Sequence, residues 1–460
     1  MSRWNRSAEF LNVYSGPIGV ATGKTRRRRE VRHPGVMPRP DADHPETGEK
    51  TGLREIPGSL LVGSPRASVR GICNRTRKPI EGTVLVVETL GPDFYDAIVA
   101  SSAVICARGG RTGHMQSLCR SRGIPVLRVD SFEPDAFVGE VTIRVDRESV
   151  ILGGGSVDAA PQQAQLPGVS LDDLESICVV IADAADIRST NDLVPRVEQV
   201  NCYFVREEFV CFAADLSPVD SLQAGDREAE HYGEAIASEL CSMVKELLPG
   251  QRLVMRLLDL RSDDAARITT GVVVEDEPNP ELGLHGTRWL LADHRYPRAF
   301  QALRAYLQDR LGWDADRVSF AVPFINDREE FLRLRQHLGL TGDTPLGVFL
   351  ETPAAVHSTA EFRTSGASEL FIGTKDLIQF YLAADRGNHL VASSYQTRHP
   401  AVLAALREAI ESCHETGLSL HVFVLGADVD HYLRHLPTRT LMMCTAELEQ
   451  LARRAERGSP

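Results

Sequence analysis

From about residue 175 onward, short apolar segments alternate with amphipathic ones, and this alternation constrains the fold more than any other feature of the chain. Amphipathic helical periodicity fills several of the gaps, as in Glu329–Leu338 and Pro400–Glu415. Eight apolar segments have the length of a buried strand: Cys178–Ala182, Cys202–Val205, Leu253–Leu257, Ser319–Pro323, Leu346–Glu351, Glu369–Thr374, Leu418–Leu425 and Thr440–Cys444. Eight parallel strands with crossover helices in ~270 residues are typical of a (β/α)8 barrel. The sequence therefore predicts an α/β fold whose larger part, residues 175–455, is such a barrel.

A smaller pattern precedes the barrel. Residues 58–152 contain short strands around one helical stretch, Met115–Arg122, and predict a separate β/α domain. Its predicted strands are Ser59–Gly63, Gly82–Val87, Ala103–Ala107, Ile124–Val129 and Val141–Val145. Residues 1–57, rich in proline, glycine and charge, predict an irregular basic arm, and residues 153–174 predict a flexible linker.

Composition excludes several classes of function. The net charge is −12, with +9 in residues 1–80 and −21 in the rest. The four arginines at 26–29 have no interleaved aromatic residue, so we expect no nucleic-acid binding. No run of 18 apolar residues predicts a membrane span, and the first residues lack a signal-peptide core, so we expect a cytoplasmic protein. Nine cysteines without a CxxC pair argue against a disulfide framework or a zinc knuckle.

Charged residues stand at the predicted strand ends of the barrel, where catalytic groups of such barrels gather. Arg206 follows the second strand, Arg256 ends the third and Glu351 ends the fifth. Lys375 and Asp376 follow the sixth. Any one of these residues alone is most often part of a surface salt bridge, but their occurrence at four strand ends favours a common site.

A glycine-rich loop in the smaller domain is the second candidate site. A buried-looking strand leads into Gly109 and Gly110, then Arg111-Thr112-Gly113-His114, and then a predicted helix. Glycines let the backbone approach a ligand closely, and a helix N-terminus stabilises phosphate. His114 therefore stands where a phosphorylated imidazole would be stabilised. The alternative is a histidine with a structural role beside a tight turn.

The loop GGRTGHMQSLCRSRGIPV resembles the phosphohistidine signature of the PEP-utilising enzymes, a family that includes PEP synthase, pyruvate phosphate dikinase and enzyme I of the sugar phosphotransferase system. Leu346–Val391, Phe320–Phe331 and Asn279–Arg288 resemble the PEP-binding barrel of that family. The resemblance implies a swivelling phosphohistidine domain followed by the barrel. It also implies a Mg2+-dependent phosphotransferase that acts on PEP or a related phosphorylated carboxylate.

The resemblance assigns roles to individual residues. His114 would carry the phosphoryl group with support from Thr112, and Glu351 and Asp376 would hold Mg2+, whose preferred ligands are oxygens. Arginine forks match phosphate and carboxylate groups. The substrate-binding positions that follow are Arg206, Arg256, Arg288, Arg386, Lys375 and His285.

Three positions depart from the family pattern. His285 stands where the family has an arginine, and Lys375 stands where it has an asparagine. Lys375 would neutralise Asp376, replace part of the cation's charge, contact a substrate oxygen or form an outward salt bridge. Phe423 aligns with the cysteine that protonates the pyruvate enolate, so ordinary interconversion of PEP and pyruvate is not expected unless His421 or Asp428 substitutes.

The sequence leaves the phosphoryl donor and acceptor open. We find no ATP-grasp domain, so the donor would be free PEP, another phosphorylated metabolite or a separate ATP-grasp kinase subunit. A specialised metabolic role fits the altered site, and the resemblance implies a homodimer formed through the barrel. The competing hypothesis is a catalytically degenerate relative that binds a ligand or a regulatory partner.

Overall fold

Two closed sheets follow one another along the chain. The computed structural model describes residues 54–63, 68–109, 114–153, 173–193, 199–341, 344–386, 388–391 and 393–458. Residues 1–53, which make up most of the predicted arm, and residues 154–172 of the predicted linker lie outside the described residues. Residues 52–460 form one compact unit.

The first closed sheet has seven strands and mixes parallel and antiparallel pairs. The strands are β1 (Glu55–Val62), β2 (Ser68–Asn74), β3 (Thr83–Thr89), β4 (Ser101–Arg108), β5 (Val126–Val129), β6 (Glu140–Arg144) and β7 (Ser149–Leu152). They close in the order β1-β5-β4-β3-β2-β6-β7. Helix α1 (Tyr95–Val99) precedes β4, and helix α2 (His114–Ser121) follows it, one residue ahead of the predicted helix. We call this sheet with its two helices the carrier domain.

The second closed sheet is the expected eight-stranded parallel barrel, which confirms the fold class. Its strands are β8 (Ser176–Ile181), β9 (Val200–Arg206), β10 (Arg252–Arg256), β11 (Val318–Val322), β12 (Gly347–Leu350), β13 (Glu369–Ile372), β14 (Ser419–Phe423) and β15 (Thr440–Cys444). Each strand pairs in parallel with the next one in the chain, and β15 closes onto β8. The C-terminal ends of all eight strands therefore meet at one face, which we call the mouth.

Helices cover the outside of the barrel and extend its mouth. They are α3 (Ala184–Leu193), α4 (Glu207–Ala213), α5 (Pro218–Ala224), α6 (Asp226–Val244), α7 (Ser262–Ile268), α8 (Gly286–Ala292), α9 (Tyr296–Leu311), α10 (Arg328–His337), α11 (Pro353–His357), α12 (Thr359–Thr364), α13 (Thr374–Leu382), α14 (Pro400–Thr416), α15 (Val429–His435) and α16 (Thr445–Gly458). Among the residues that the structure describes, no helix is long and apolar enough to cross a membrane.

Aromatic side chains fill the barrel lumen. Phe204, Phe349 and Phe371 are within 5.8 Å of one another by ring centroids, and Phe349 stacks on Phe371 at an interplanar angle of 13°. At the other end of the barrel, Arg252 forms two hydrogen bonds with Glu369, at 2.6 and 2.7 Å. The lumen is therefore a packed core, and the polar side chains at the strand ends lie above it at the mouth.

The carrier domain packs directly on the barrel. One apolar cluster contains carrier-domain residues such as Leu61 and Leu118 together with Ala182 and Phe209 of the barrel. The rings of Tyr95 and Phe212 meet across this boundary with centroids 5.8 Å apart. Helix α2 contacts β8, β15 and α16 of the barrel. The two predicted sites are therefore brought to one face of the molecule.

Candidate active site at the barrel mouth

Arg256 is the most heavily paired charge at the mouth. It is the last residue of β10 and is 2% exposed. Its guanidinium donates to Glu351 Oε1 at 3.1 Å and to Glu208 Oε1 at 2.8 Å, and it lies 3.1 Å from Asp259 Oδ2. Burial alone would lower the pKa of Arg256, but the three carboxylates raise it above its ordinary value. Arg256 thus stays charged at the centre of an acidic cluster.

Glu351 follows β12 and is held from two sides. Arg256 donates to one carboxylate oxygen, and the backbone N–H of Phe324 donates to the other at 3.0 Å. Burial raises the pKa of Glu351 to about 8; Arg256 opposes this rise, and Asp376 adds to it. Gly373 makes room for this arrangement, because a Cβ there would lie 2.6 Å from Glu351 Cγ. Because Gly373 directly precedes α13, the helix that carries Asp376, Glu351 and Asp376 both stand on the fifth- and sixth-strand side of the mouth.

Asp376 pairs with Arg386. Arg386 donates to Asp376 Oδ2 at 3.0 Å, and its second terminal nitrogen lies 2.8 Å from Oδ1. The backbone N–H of Arg386 donates to Gln379, whose amide in turn donates to Glu281 at 2.9 Å. Asp376 and Arg386 are therefore tied into one polar network on the sixth-strand side of the mouth.

Arg206 differs from the other mouth arginines because it forms no ion pair or hydrogen bond with the described residues. It ends β9, lies over the Phe209 ring at 5.5 Å, and its Nε is buried without a hydrogen-bond partner. Burial lowers the pKa of Arg206, as do the positive charges of Arg256 and Arg386. The nearby charge of Glu208 acts in the opposite direction. The guanidinium therefore lies near a carboxylate without a hydrogen bond to one, and an anion would supply that bond.

A small cleft beside Arg206 is shared by the two closed sheets. Pro92 and Met115 line it from the carrier domain; Arg206, Glu208, Phe209, Phe212, Leu260 and Asp264 line it from the barrel. Met115 is the second residue of α2, directly after His114. The first turn of α2 and an unpaired arginine of the mouth therefore lie at the same cleft.

Lys375 points inward under α2 rather than outward into solvent. It is 4% exposed, its Nζ donates to Ser117 Oγ in α2 at 2.7 Å, and Nζ lies 4.6 Å from the centroid of the Phe423 ring. Burial lowers the pKa of Lys375 well below its ordinary value, and Arg120 and Arg206 lower it further. The outward salt bridge that the sequence left open is not formed.

Two family models match the chain in succession. The mobile domain of PEP-utilising enzymes matches residues 79–147, and their PEP-binding domain matches residues 204–427. The chain belongs to the PEP-utilising enzyme family.

Full-length relatives of the PEP-utilising family extend well beyond this chain. A probable phosphoenolpyruvate synthase of Archaeoglobus fulgidus is 27% identical over 399 residues, which cover 84% of this chain and 50% of the relative. The phosphoenolpyruvate synthase of Pyrococcus furiosus is 25% identical, over 81% of this chain and 46% of the relative. A phosphoenolpyruvate-protein phosphotransferase of Haloferax volcanii is 28% identical, over 72% of this chain and 59% of the relative. The chain thus spans about half the length of these relatives.

The residues that depart from the PEP-utilising pattern have definite places. His285 is buried, with Nδ1 2.6 Å from Asp259 Oδ1 and Nε2 3.2 Å from the carbonyl oxygen of Glu281. Phe423 is buried at the end of β14, beneath Lys375. His421 faces the opposite end of the barrel and contacts Ser176 Oγ at 3.0 Å. His421 is therefore remote from the mouth.

The remaining predicted site residues either bond to other parts of the protein or are not fully described by the structure. Arg288 is exposed and donates to the carbonyl oxygens of Leu282 and Gly283, so its guanidinium serves the local loop. Asp428 pairs with Arg398 at 2.7 Å. Thr112 lies outside the described residues, and of His114 the structure describes the backbone at the start of α2.

Glu351 and Asp376 fit a magnesium ion by the chemistry of their oxygens. Burial is the main reason that the pKa of Glu351 is raised, and the negative charge of Asp376 adds to it; a divalent cation would relieve both effects. No group of three or more metal-ligating side chains occurs in the described part of the chain. Two carboxylates suffice for Mg2+, which usually keeps waters and shares phosphate oxygens.

Sequence reasoning missed Glu208, Asp259 and Ser117. Glu208 and Asp259 each follow a predicted strand end within three residues, and that spacing was an available signal. Cys444 also ends β15 within the luminal core, where burial raises the pKa of its thiol to about 12. Ser117 carries no local signal, because its partner Lys375 lies 258 residues away.

Proposed function

We propose that this chain is a phosphotransferase that relays a phosphoryl group through His114. The group would pass between His114 and PEP, or a related phosphorylated carboxylate, bound at the barrel mouth. The observation that carries the proposal is the shared cleft, in which the first turn of α2 meets Arg206. Membership of the PEP-utilising family supplies the substrate class.

The charges at the mouth suit a phosphorylated anion. Arg206 has no carboxylate partner among the described residues, and it is close enough to Arg256 and Arg386 for their charges to lower its pKa. A guanidinium fork binds phosphate or carboxylate oxygens through paired hydrogen bonds. Arg256 and Arg386 are each balanced by carboxylates, so an arriving dianion would gain most from Arg206, whose guanidinium is bound by no carboxylate of the described residues.

The transfer itself is an in-line displacement. A ring nitrogen of His114 forms a bond to phosphorus while the bond from phosphorus to the enol oxygen breaks, and the enolate leaves. Because Phe423 stands at the position of the family's proton donor, the enolate would take its proton from water after it leaves. Such a transfer asks the protein mainly to position the groups and to neutralise charge. Glu351 and Asp376 would hold Mg2+, which supplies charge neutralisation at the phosphoryl oxygens.

The phosphoryl acceptor, a specialised metabolic role and a homodimer through the barrel belong to this proposal as expectations. A separate ATP-grasp subunit would be the donor in a split form of the enzyme. The second candidate function is a degenerate ligand-binding relative. It is favoured by the pairing of both proposed metal ligands with arginines, Glu351 with Arg256 and Asp376 with Arg386.

Incubation of the purified chain with Mg2+ and 32P-labelled PEP tests the proposal. We expect acid-labile, base-stable label on the wild type and on a His357→Ala control, whose histidine is exposed and pairs with Glu408. We expect no label on His114→Ala. Label on His114→Ala would contradict the relay. If the wild type is labelled only when ATP and an ATP-grasp subunit are added, the chain is one subunit of a split kinase and does not use PEP directly. If it is labelled under neither condition, the result favours the degenerate relative.

A further inference from the structure

The hydrogen bond from Lys375 Nζ to Ser117 Oγ joins the barrel to the carrier domain. The two atoms are 2.7 Å apart, and the side chains are 4% and 1% exposed. Ser117 lies three residues after His114, nearly one helical turn along α2. The contact therefore helps to fix the position of the helical turn that begins with His114.

The barrel fixes the position of Lys375. Thr374 Oγ1 donates to the carbonyl oxygen of Phe423 at 2.8 Å, and the Tyr395 hydroxyl donates to the carbonyl oxygen of Lys375 at 3.0 Å. The Nζ atom lies over the Phe423 ring. The amine is therefore presented by the barrel in one place.

Among the described residues, Ser117 is the only hydrogen-bonding partner of the Lys375 amine, and no carboxylate forms an ion pair with it. The charges of Arg120, Arg206 and Arg386 disfavour a positive charge on this amine, whereas Cys444 and Glu447 act in the opposite direction. A buried polar group gains little from burial unless it is hydrogen-bonded. The contact with Ser117 is therefore what satisfies Lys375 when the carrier domain is docked.

We infer that Lys375 is a positioning residue that recognises α2 and aligns it at the mouth for phosphoryl transfer. This inference rests on the proposed function and deepens it. Fixing Ser117 sets both the rotation and the axial position of the first turn of α2. Transfer is sensitive to such placement, because a shift of ~1 Å can cost ~100-fold in rate. Lys375 thus acts through the carrier helix, whereas Arg206 acts on the ligand.

The test compares Lys375→Met, Ser117→Ala and the double variant in the full chain. Methionine keeps the stem that packs on Phe423. Rapid quench with labelled PEP gives the rate of transfer to His114, and equilibrium dialysis in a His114→Ala background gives PEP affinity. We expect each single variant to slow transfer about fivefold, the effect of one lost hydrogen bond. We expect the double variant to be no slower than either single one, and PEP affinity to change less than twofold.

Ser121→Ala is the matched control. Ser121 is also a buried serine of α2, but its hydroxyl donates to the carbonyl oxygen of Leu118 within the same helix. We expect its transfer rate to stay within twofold of the wild type. The inference would be overturned if the double variant were slower by the product of the two single effects, because the two side chains would then act independently. It would also be overturned if Lys375→Met lost as much PEP affinity as transfer rate.

Hydrogen–deuterium exchange separates failure of this inference from failure of the proposed function. We expect amides 115–121 of α2 to exchange faster in Lys375→Met and Ser117→Ala than in the wild type or Ser121→Ala. If wild-type protein accepts no label but this exchange pattern holds, the relay fails and the docking role of Lys375 stands. If label is transferred normally and exchange is unchanged in both variants, the relay stands and the docking role fails.

Discussion

The cationic residues of the mouth differ in whether a carboxylate already balances them. Arg256 has three carboxylates within 3.1 Å, and Arg386 has Asp376. Arg206 has none among the described residues. A charge removed from water without a partner is unfavourable. The ligand's phosphoryl or carboxylate group therefore has the most to gain from Arg206.

Replacing Arg206 with methionine should weaken PEP binding about 10- to 100-fold. The change removes a charge-assisted hydrogen-bond donor worth about 1.5–3 kcal/mol. Equilibrium dialysis with labelled PEP in a His114→Ala background measures the effect. Arg333→Met, at an exposed position of α10, is the control with unchanged affinity. Affinity of Arg206→Met within twofold of the parent would show that Arg206 does not contact the ligand.

His421 should make the fold sensitive to acid. Burial lowers the pKa of His421 to about 3, below its ordinary 6.5, so the native state keeps it neutral while the unfolded chain takes up a proton below pH 6.5. Its stabilising contribution is thus fully present above pH 6.5 and is lost as the pH falls toward 3. Between pH 6 and 4 we expect a loss of about 1.4 kcal/mol per pH unit from this residue.

Urea unfolding of the wild type and His421→Asn at pH 7, 6, 5 and 4 measures this difference. The variant should be less stable at pH 7, because it loses packing on Phe371, and should depend less steeply on pH. Parallel pH profiles for the two proteins would contradict the assignment of acid sensitivity to His421.

Strand ends made the mouth residues predictable one by one. The barrel rule needs only the end of each strand, and it found Arg206, Arg256, Glu351 and the Lys375–Asp376 pair. It could not give the direction of a loop side chain, so it did not show that Arg288 bonds to its own loop. Charge partners such as Glu208 for Arg256 depend on three-dimensional packing, which spacing alone does not reveal.

At the scale of elements, apolar runs predicted the barrel well and the carrier domain less fully. All eight barrel strands occur within a few residues of their expected places, because each is buried on both faces. Strands β2 and β7 were missed. Strand β2 contains Arg70 and Gly71 and exposes several positions, and β7 has only four residues directly after a tight turn at Glu148. Neither has the continuous apolar run that marks a buried strand.

Gly233 should not tolerate alanine, although alanine is the better helix former. Helices α6 and α9 approach so closely there that a Cβ on Gly233 would lie 2.0 Å from the carbonyl oxygen of Ala299. Helix propensity alone would favour Gly233→Ala by ~1 kcal/mol. We expect instead a loss of about 1–3 kcal/mol of unfolding free energy from overpacking, measured by urea denaturation. The control is Ser238→Ala, on the exposed face of α6, whose unfolding free energy should stay within about 0.5 kcal/mol of the wild type. If Gly233→Ala were more stable than the wild type, the two helices could move apart at little cost.

At the scale of the whole molecule, ion pairs reinforce the apolar contact between the carrier domain and the barrel. Arg122, just after α2, pairs with Asp183, and its Nε lies 3.2 Å from Asp186 Oδ1. Burial raises the pKa of Asp186 to about 6, against the opposing effect of Arg122. Arg122 therefore supplies the positive charge that stabilises the ionised form of Asp186.

Arg122→Gln should loosen docking at pH 8 more than at pH 5. Because the docked pKa of Asp186 is raised from 3.8 to about 6, its protonated form favours docking below about pH 4, and this contribution is lost as the pH rises to about 6. At pH 8 the carboxylate is fully ionised, so loss of Arg122 has its largest effect there. The measurement is the ratio of variant to wild-type hydrogen–deuterium exchange rates in α2 and α3 at each pH. Arg75→Gln, which removes an exposed pair with Asp135 inside the carrier domain, is the control. An equal ratio at both pH values would exclude Asp186 as the responsible group.

The relative placement of the two closed sheets could not be predicted from the sequence. Each sheet follows from local patterns, but their contact depends on pairs such as Lys375 with Ser117 and Arg122 with Asp183, whose members lie far apart in the chain. The resemblance implied only that the histidine domain swivels. The docked arrangement is therefore known only from the structure.

The position of α2 over Arg206 has a kinetic consequence. Met115 in the first turn of α2 lines the same cleft as Arg206. In the proposed relay, movement of α2 away from this cleft would accompany each exchange of ligand, and the frequency of that movement would set an upper limit on turnover.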